Sequence, residues 1–212
     1  MNKNNFGFYK NVGVKGLQKF SDTGGFASWA DMEHAYPILR DTSSVLELGA
    51  GYGRCLEFLI KEGYQGKMYA VEQSEEFVAH LEKTFSAEVE IIAGDFNEVA
   101  LPEAVDSVLW MWSGIIDFTE KEQQAMFNRL FGLLNRPGVL VVDAPRIGFK
   151  TFAQHDDAQH LHYESPYGDL KCYIPSRSDV DRMCEEAGFA SVEQIDYDTS
   201  AERQRSLFAI HK

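Results

Sequence analysis

Short apolar runs alternate with stretches of helical spacing along most of this 212-residue chain, and that alternation limits the fold more than any other feature. "SVLELGA" from residue 44, "KMYAVE", "EVEIIAGD", "VDSVLWMW" and "VLVVDAP" each read as a buried strand. Between them, Leu56, Leu59 and Ile60 share one helical face, and Phe77, Val78, Leu81 and Phe85 share another behind a Ser74 cap. Thr119 and Glu122 fit a capping box, leading a helix with Met126, Phe127, Leu130, Phe131 and Leu134 on one side and ended by "NRPG". "SDVDRMCEEAGF" predicts a last helix, and "SVEQIDYD" and "RSLFAIHK" two last strands. Strands joined by helices require crossovers, so the chain predicts an α/β, doubly wound, mainly parallel sheet with helices on both faces. Ligands of such sheets sit beyond the carboxyl ends of the strands, where strand order reverses.

The length suits one domain. With 33 acidic against 20 basic residues the net charge is −13, which disfavours nucleic acid and anionic membrane as partners. Cys55, Cys172 and Cys184 form no C-x-x-C pair and suit a reducing compartment. The first residues show no apolar signal-like core, and no apolar run is long enough to span a bilayer, so a soluble, cytoplasmic protein is expected.

The stretch "VLELGAGYGR" places Gly49, Gly51 and Gly53 between a strand and a helix, where a ligand can approach the backbone closely. A dinucleotide fingerprint would need its third glycine at position 54, which is Arg54, and no G-K-S or G-K-T follows as in a phosphate-binding loop. Nicotinamide and nucleotide phosphate both lose ground.

This stretch resembles the first motif of class I, Rossmann-like, S-adenosylmethionine-dependent methyltransferases, an acidic residue followed by G-x-G-x-G. Glu72 ends the second strand in "YAVEQS", Asp95 follows the third in "AGDF", the fourth runs into "LWMWSG", and "NRPG" introduces the fifth, all in the order and spacing of that family. The resemblance implies a seven-stranded sheet with a C-terminal antiparallel strand, and S-adenosyl-L-methionine as cofactor. It assigns Glu47 to the cofactor's ammonium, Gly49, Ala50 and Gly51 to its close approach, Glu72 and Gln73 to the ribose, and Asp95 and Phe96 to the adenine. Trp110, with Met111, walls the pocket near the sulfonium. Glu72 and Asp95 also have a plainer reading as strand-end carboxylates on solvated turns.

Within one domain spanning 1–212, the resemblance divides 1–40 as an N-terminal lid or edge helix, 41–145 as cofactor-binding core, 146–175 as a substrate-side insertion and 176–212 as final helix and strands. The N-terminal segment offers Tyr9 or Trp29 to the acceptor, or else packs Trp29, Met32 and Tyr36 on the sheet. In the insertion, His155, His160, His162 and Tyr163 are concentrated candidates for a base, although "HLH" equally suits an exposed strand with Leu161 turned inward. Arg146 and Asp117 are further candidates, for an acceptor carboxylate and a proton respectively. No metal site is expected. An N-P-P-Y signature after the fourth strand is absent, which leaves a small-molecule acceptor, methylated on nitrogen or oxygen. The alternatives are a catalytically silent S-adenosylmethionine-binding sensor or partner subunit and, less well supported, a nicotinamide-dependent oxidoreductase. Oligomeric state is left open.

Overall fold

The computed structural model describes residues 3–149 and 154–212. Five parallel strands, β1 (Ser44–Leu48), β2 (Lys67–Glu72), β3 (Val89–Ala93), β4 (Val105–Trp110) and β5 (Leu134–Pro145), are the apolar runs identified above. A three-stranded antiparallel sheet follows: β6 (Gln154–His155), β7 (His160–Ser165) and β8 (Gly168–Tyr173). Strands β9 (Ser191–Asp198) and β10 (Gln204–His211) return to the main sheet, where β10 runs antiparallel to both β5 and β9. The order β3-β2-β1-β4-β5-β10-β9 is the expected seven-stranded, mainly parallel sheet. It reverses between β1 and β4, leaving a crevice above their carboxyl ends.

Helices α1 (Lys3–Gly24), α2 (Ala30–Leu39), α3 (Arg54–Lys61), α4 (Glu75–Phe85), α5 (Glu120–Leu133) and α6 (Arg177–Ala187) complete the chain. The period of two splits the buried side chains into two layers. From β1, Leu46 and Leu48 join Val108, Phe127, Leu130, Leu140 and Met183 on one face of the sheet. Val45 joins Leu56, Leu59, Leu81, Leu109 and Leu207 on the other. Each fully buried Leu or Phe contributes roughly 1.5–3 kcal/mol through the water it sheds.

Local details depart from the sequence reading in three places. Ser74 is the first residue before α4, but its hydroxyl makes no cap bond; its N–H is instead held by the Glu72 carboxylate. The "NRPG" turn does not precede β5 but bulges out of it, as the pairing with β4 jumps from Val105↔Leu134 to Ser107↔Val139. Beyond β4, Trp112 and Ser113 take positive φ (47° and 67°), so the strand alternation between Trp110, Met111 and Trp112 stops at Trp110. Thr119 and Glu122 do form the capping box of α5, and Ser176 and Asp179 form a second one on α6.

The N-terminal segment folds as two helices with different tasks. In α2, Met32 is buried against the sheet, while Trp29, just before it, and Tyr36 flank Phe58 edge-on at 5.8 Å. α1 lies over the crevice and breaks at Gly13 (φ 62°), whose missing Cβ would lie 2.7 Å from Glu76 Oε1. The same oxygen accepts the Val14 N–H at 2.9 Å, so the break is tied to α4.

A buried ion pair fixes the junction. The Arg54 guanidinium meets the Asp31 carboxylate with both groups almost fully removed from water, and Arg54 Nη1 also donates to the Phe26 carbonyl at 3.2 Å. Removing one partner leaves an uncompensated buried charge. Asp31→Ala therefore lowers stability to chemical denaturation by about 3–5 kcal/mol. Asp41→Ala, which breaks the exposed pair with Arg40, costs within about 1 kcal/mol in the same experiment.

Candidate functional site

One cavity of about 470 Å³ opens at the strand-order reversal, roofed by α1 and bounded on the far side by β7 and β8. Its size lies within the roughly 300–1,000 Å³ of small-molecule sites. Three carboxylates stand at or near the ends of adjacent strands along its floor: Glu47 on β1, Glu72 on β2 and Asp95 after β3.

The loop after β1 is latched onto β2. Gly49 and Ala50 donate their N–H groups to the Val71 carbonyl at 2.9 and 3.2 Å. Gly51, at φ 56° and with Leu17 3.0 Å from where a Cβ would stand, donates to Glu72 Oε2 at 2.9 Å. Glu72 Oε1 accepts the Gln73 and Ser74 N–H groups, both at 2.8 Å. Burial raises the Glu72 pKa, and these three N–H groups oppose the shift by favouring the charged form. They occupy three of about four acceptor positions on the carboxylate, so two ligand hydroxyls would compete with one of them.

Glu47 is in a different state. It is buried in the β1 layer, its Oε2 has no hydrogen-bond partner, and burial pushes its pKa up to about 7. An unpartnered buried carboxylate oxygen is costly, and a cationic ligand group would relieve it. Asp95 is half-buried, with Oδ1 accepting from the Asn97 backbone and side chain at 2.9 and 3.1 Å. Phe96 is buried under the Arg129 guanidinium, 4.7 Å from the ring centre. Gln73, Phe96 and Trp110 also line the cavity, and Trp110 meets Phe118 edge-on at 5.3 Å.

At the other end, Asp117 closes a short 3₁₀ turn, Gly114–Asp117, beyond β4. Its Oδ1 accepts from Asn5 Nδ2 and its Oδ2 from the Tyr9 hydroxyl, each at 2.8 Å. Burial raises the Asp117 pKa to about 6 against these two donors, and burial beside Asp117 pushes Tyr9 well above the usual phenol value. Asn5 also accepts the Lys171 N–H at 3.0 Å and donates to its carbonyl at 2.9 Å. Helix α1, the turn after β4 and strand β8 therefore meet at one carboxylate.

The histidine candidates do not converge here. On β7, Leu161 is buried and Tyr163 reaches the cavity, so alternation turns His160 and His162 to the opposite face. His160 is exposed and bonded to Asp157 at 2.9 Å; His162 Nε2 stands 4.0 Å from Asp169. Neither lines the cavity. His155 belongs to β6, and its side chain lies outside the described residues. Among the described residues, no three His, Cys, Asp or Glu side chains group as metal ligands. Trp29 packs away from the cavity, and Arg146 stands 3.8 Å from Asp196.

Residues 45–138 match the sequence model of a methyltransferase domain family. The chain has the class I, Rossmann-like methyltransferase fold. Its structure is similar to 1,6-didemethyltoxoflavin-N1-methyltransferase of Burkholderia thailandensis, solved with 1,6-didemethyltoxoflavin and S-adenosylhomocysteine, at TM-score 0.67 and 16% identity over 95% of this chain and 84% of that one. CalS10, an amino pentose methyltransferase of Micromonospora echinaspora solved with S-adenosylmethionine, gives TM-score 0.60 at 15% identity over 90% and 92%. The CcbJ methyltransferase of Streptomyces caelestis gives 0.61 at 19% over 87% and 89%. At such identities the likeness is one of fold. No functionally curated protein shows significant sequence similarity to the chain.

Four residues of the site have no role assigned from the sequence, three that line the cavity and one that supports it. Arg54 and Arg205 line it, Arg205 paired with a fully buried Asp143 that also accepts from Tyr197 at 2.6 Å. Both guanidiniums pack on the Phe26 ring, 5.5 and 5.2 Å from its centre. Cys172 enters from β8, and Asn5 positions Asp117 from 112 residues away. A charge where a third glycine would stand was the one available signal, at Arg54.

The raised Glu47 pKa has a measurable sign. Its carboxyl holds a proton in the folded state up to about pH 7 but ionises at about 4.5 when unfolded, so folded-state stability falls as pH rises through that window. Thermal denaturation of the ligand-free protein should show Glu47→Gln gaining on wild type from pH 4.5 to 7, with a constant difference above pH 7 to 8.

Proposed function

We propose that the chain is an S-adenosylmethionine-dependent methyltransferase whose acceptor is a small molecule, methylated on nitrogen or oxygen. The observation that carries this reading is the row of carboxylates, Glu47, Glu72 and Asp95, around a glycine loop in one cavity. A dinucleotide pyrophosphate would call for a glycine where Arg54 stands. S-adenosylmethionine instead offers an ammonium, two ribose hydroxyls and an adenine amino group, all donors to carboxylate oxygens.

The residues fit that ligand in detail. Glu47 would accept the ammonium on its unpartnered oxygen, Glu72 the ribose hydroxyls, Asp95 the adenine amino group, and the Phe96 N–H would serve a ring nitrogen. Gln73 borders the ribose end, Gly49, Ala50 and Gly51 let the ligand lie against the backbone, and Trp110 walls the reactive end. When bound, S-adenosylmethionine supplies an electrophilic methyl group on a sulfonium. The chain aligns the acceptor and excludes water: α1 lays Phe6, Phe8, Tyr9, Leu17 and Phe20 over the crevice, and Tyr163, Leu170 and Cys172 close it from β7 and β8. On this reading, residues 1–40 supply the lid, 41–145 the cofactor half and 146–175 the acceptor-side wall, all within one domain.

Catalytic assignment follows the cavity. Tyr9 and Asp117 reach it, whereas His160 and His162 do not. The solved structures' own acceptors, a didemethyltoxoflavin and an amino pentose, add support for a small molecule. A cytoplasmic setting agrees with three unpaired cysteines, and no helix among the described residues is long and apolar enough to cross a membrane. The net charge of −13 favours neither nucleic acid nor anionic membrane as partner.

The decisive assay incubates the protein with methyl-labelled S-adenosylmethionine and a panel of small amines, phenols and carboxylic acids. Acceptor-dependent label transfer, with matching release of S-adenosylhomocysteine, is expected. Firm cofactor binding without transfer to any panel member would favour the silent sensor or partner-subunit reading.

A further inference from the structure

The acceptor end of the cavity has a charge balance and a wall composition that narrow its ligand. Four carboxylates line the whole cavity, Glu47, Glu72, Asp95 and Asp117, against three guanidiniums, those of Arg54, Arg203 and Arg205. Two of the guanidiniums are already neutralised from outside the lining, Arg54 by Asp31 and Arg205 by Asp143. No lysine stands among the described lining residues. The cavity therefore carries a surplus of negative charge.

Asp117 is where that surplus meets the apolar end. Its two oxygens each take one donor, Asn5 Nδ2 and the Tyr9 hydroxyl, and both donors are uncharged. About two acceptor positions remain on the carboxylate. The Tyr9 ring that bonds it meets Phe8 edge-on at 5.4 Å, Phe8 meets Tyr163 at 6.4 Å, and Trp110, Phe118 and Cys172 line the same cavity. Aromatic faces attract a cation, and a buried carboxylate with uncharged partners gains most from one. A carboxylate-bearing acceptor would meet like charge here, and a neutral alcohol would leave Asp117 without a counter-ion.

We propose that the acceptor is a primary or secondary amine with an apolar, ring-sized body, bound as its ammonium on Asp117 among these rings. This rests on the methyltransferase reading above and names its substrate class. One N–H proton passes to an Asp117 oxygen, freeing the nitrogen lone pair. That pair forms the new N–CH₃ bond as the carbon–sulfur bond of the cofactor breaks onto sulfur, giving the N-methylated ammonium and the thioether product. Asp117 then returns its proton to solvent. Asn5 and Tyr9 act as positioning residues, since they hold the carboxylate from α1.

The test uses the full chain saturated with S-adenosylhomocysteine, whose own binding is measured first. Calorimetric titration then compares 2-phenylethylamine with 3-phenylpropionate and 2-phenylethanol, which have similar bodies and differ in the head group. The amine should bind at least about tenfold more tightly than either, and Asp117→Asn should weaken it about tenfold while S-adenosylhomocysteine binds as before. Should that variant fail to fold, the wild-type selectivity among the three probes decides alone. Equal or tighter binding of the acid or alcohol, no detectable amine binding, or an unchanged amine affinity in a folded Asp117→Asn would each overturn the proposal. Failure of S-adenosylhomocysteine itself to bind would overturn the underlying reading before any probe is added, so the two failures are distinct.

Discussion

The Glu72 carboxylate holds together the part of the fold on which everything else depends. By accepting N–H groups from Gly51, Gln73 and Ser74 it joins the loop after β1, the end of β2 and the start of α4. Those three elements form the floor of the crevice opened by the strand-order reversal. Backbone N–H groups cannot swing away as side chains can, so the carboxylate is aimed before any ligand arrives. Such preorganisation lowers the ordering cost of binding, although here it also means that a ligand hydroxyl must share the carboxylate with the backbone.

Buried ion pairs set the second layer of the design. Arg54–Asp31 and Arg205–Asp143 place two guanidiniums against the Phe26 ring, at 5.5 and 5.2 Å from its centre, while cancelling their charge from behind. The arginines then wall the cavity without making it cationic. This is consistent with a cofactor that carries no phosphate, and it leaves Glu47 and Asp117 to set the local sign of the field. Helix α1 is bound into the same arrangement from above, through Asn5 and Tyr9 at Asp117 and through the edge contacts of Phe8 with Tyr163 and Tyr167 at 6.4 and 6.2 Å.

The sheet was legible because its strands are short, apolar and separated by helices whose caps are written locally, as at Thr119–Glu122. The placement of Glu72 and Asp95 at strand ends followed from the same pattern. Long-range partnerships were not legible. Nothing near Asn5 signals a bond to Asp117, and nothing near Asp31 signals Arg54, because each contact is closed by tertiary packing of elements far apart in the chain. His160 and His162 stand off the cavity for a related reason. The density of histidines in residues 155–162 suggests a base, but strand alternation on β7 turns Leu161 and Tyr163 to one face and His160 and His162 to the other, away from the cavity. Ser74 shows the smaller-scale version, a cap residue by sequence whose N–H was taken by the carboxylate two positions earlier.

The proposed role of Glu72 is to hold S-adenosylmethionine at the floor of this crevice. Calorimetric titration of S-adenosylmethionine into the wild-type protein and into a folded Glu72→Ala variant distinguishes this role from a purely structural one. Wild type should bind with a dissociation constant in roughly the micromolar range, and the variant at least about tenfold more weakly, the loss expected for a buried charge-assisted hydrogen bond. Absence of binding to the folded wild-type protein, or equal binding by the variant, would contradict it.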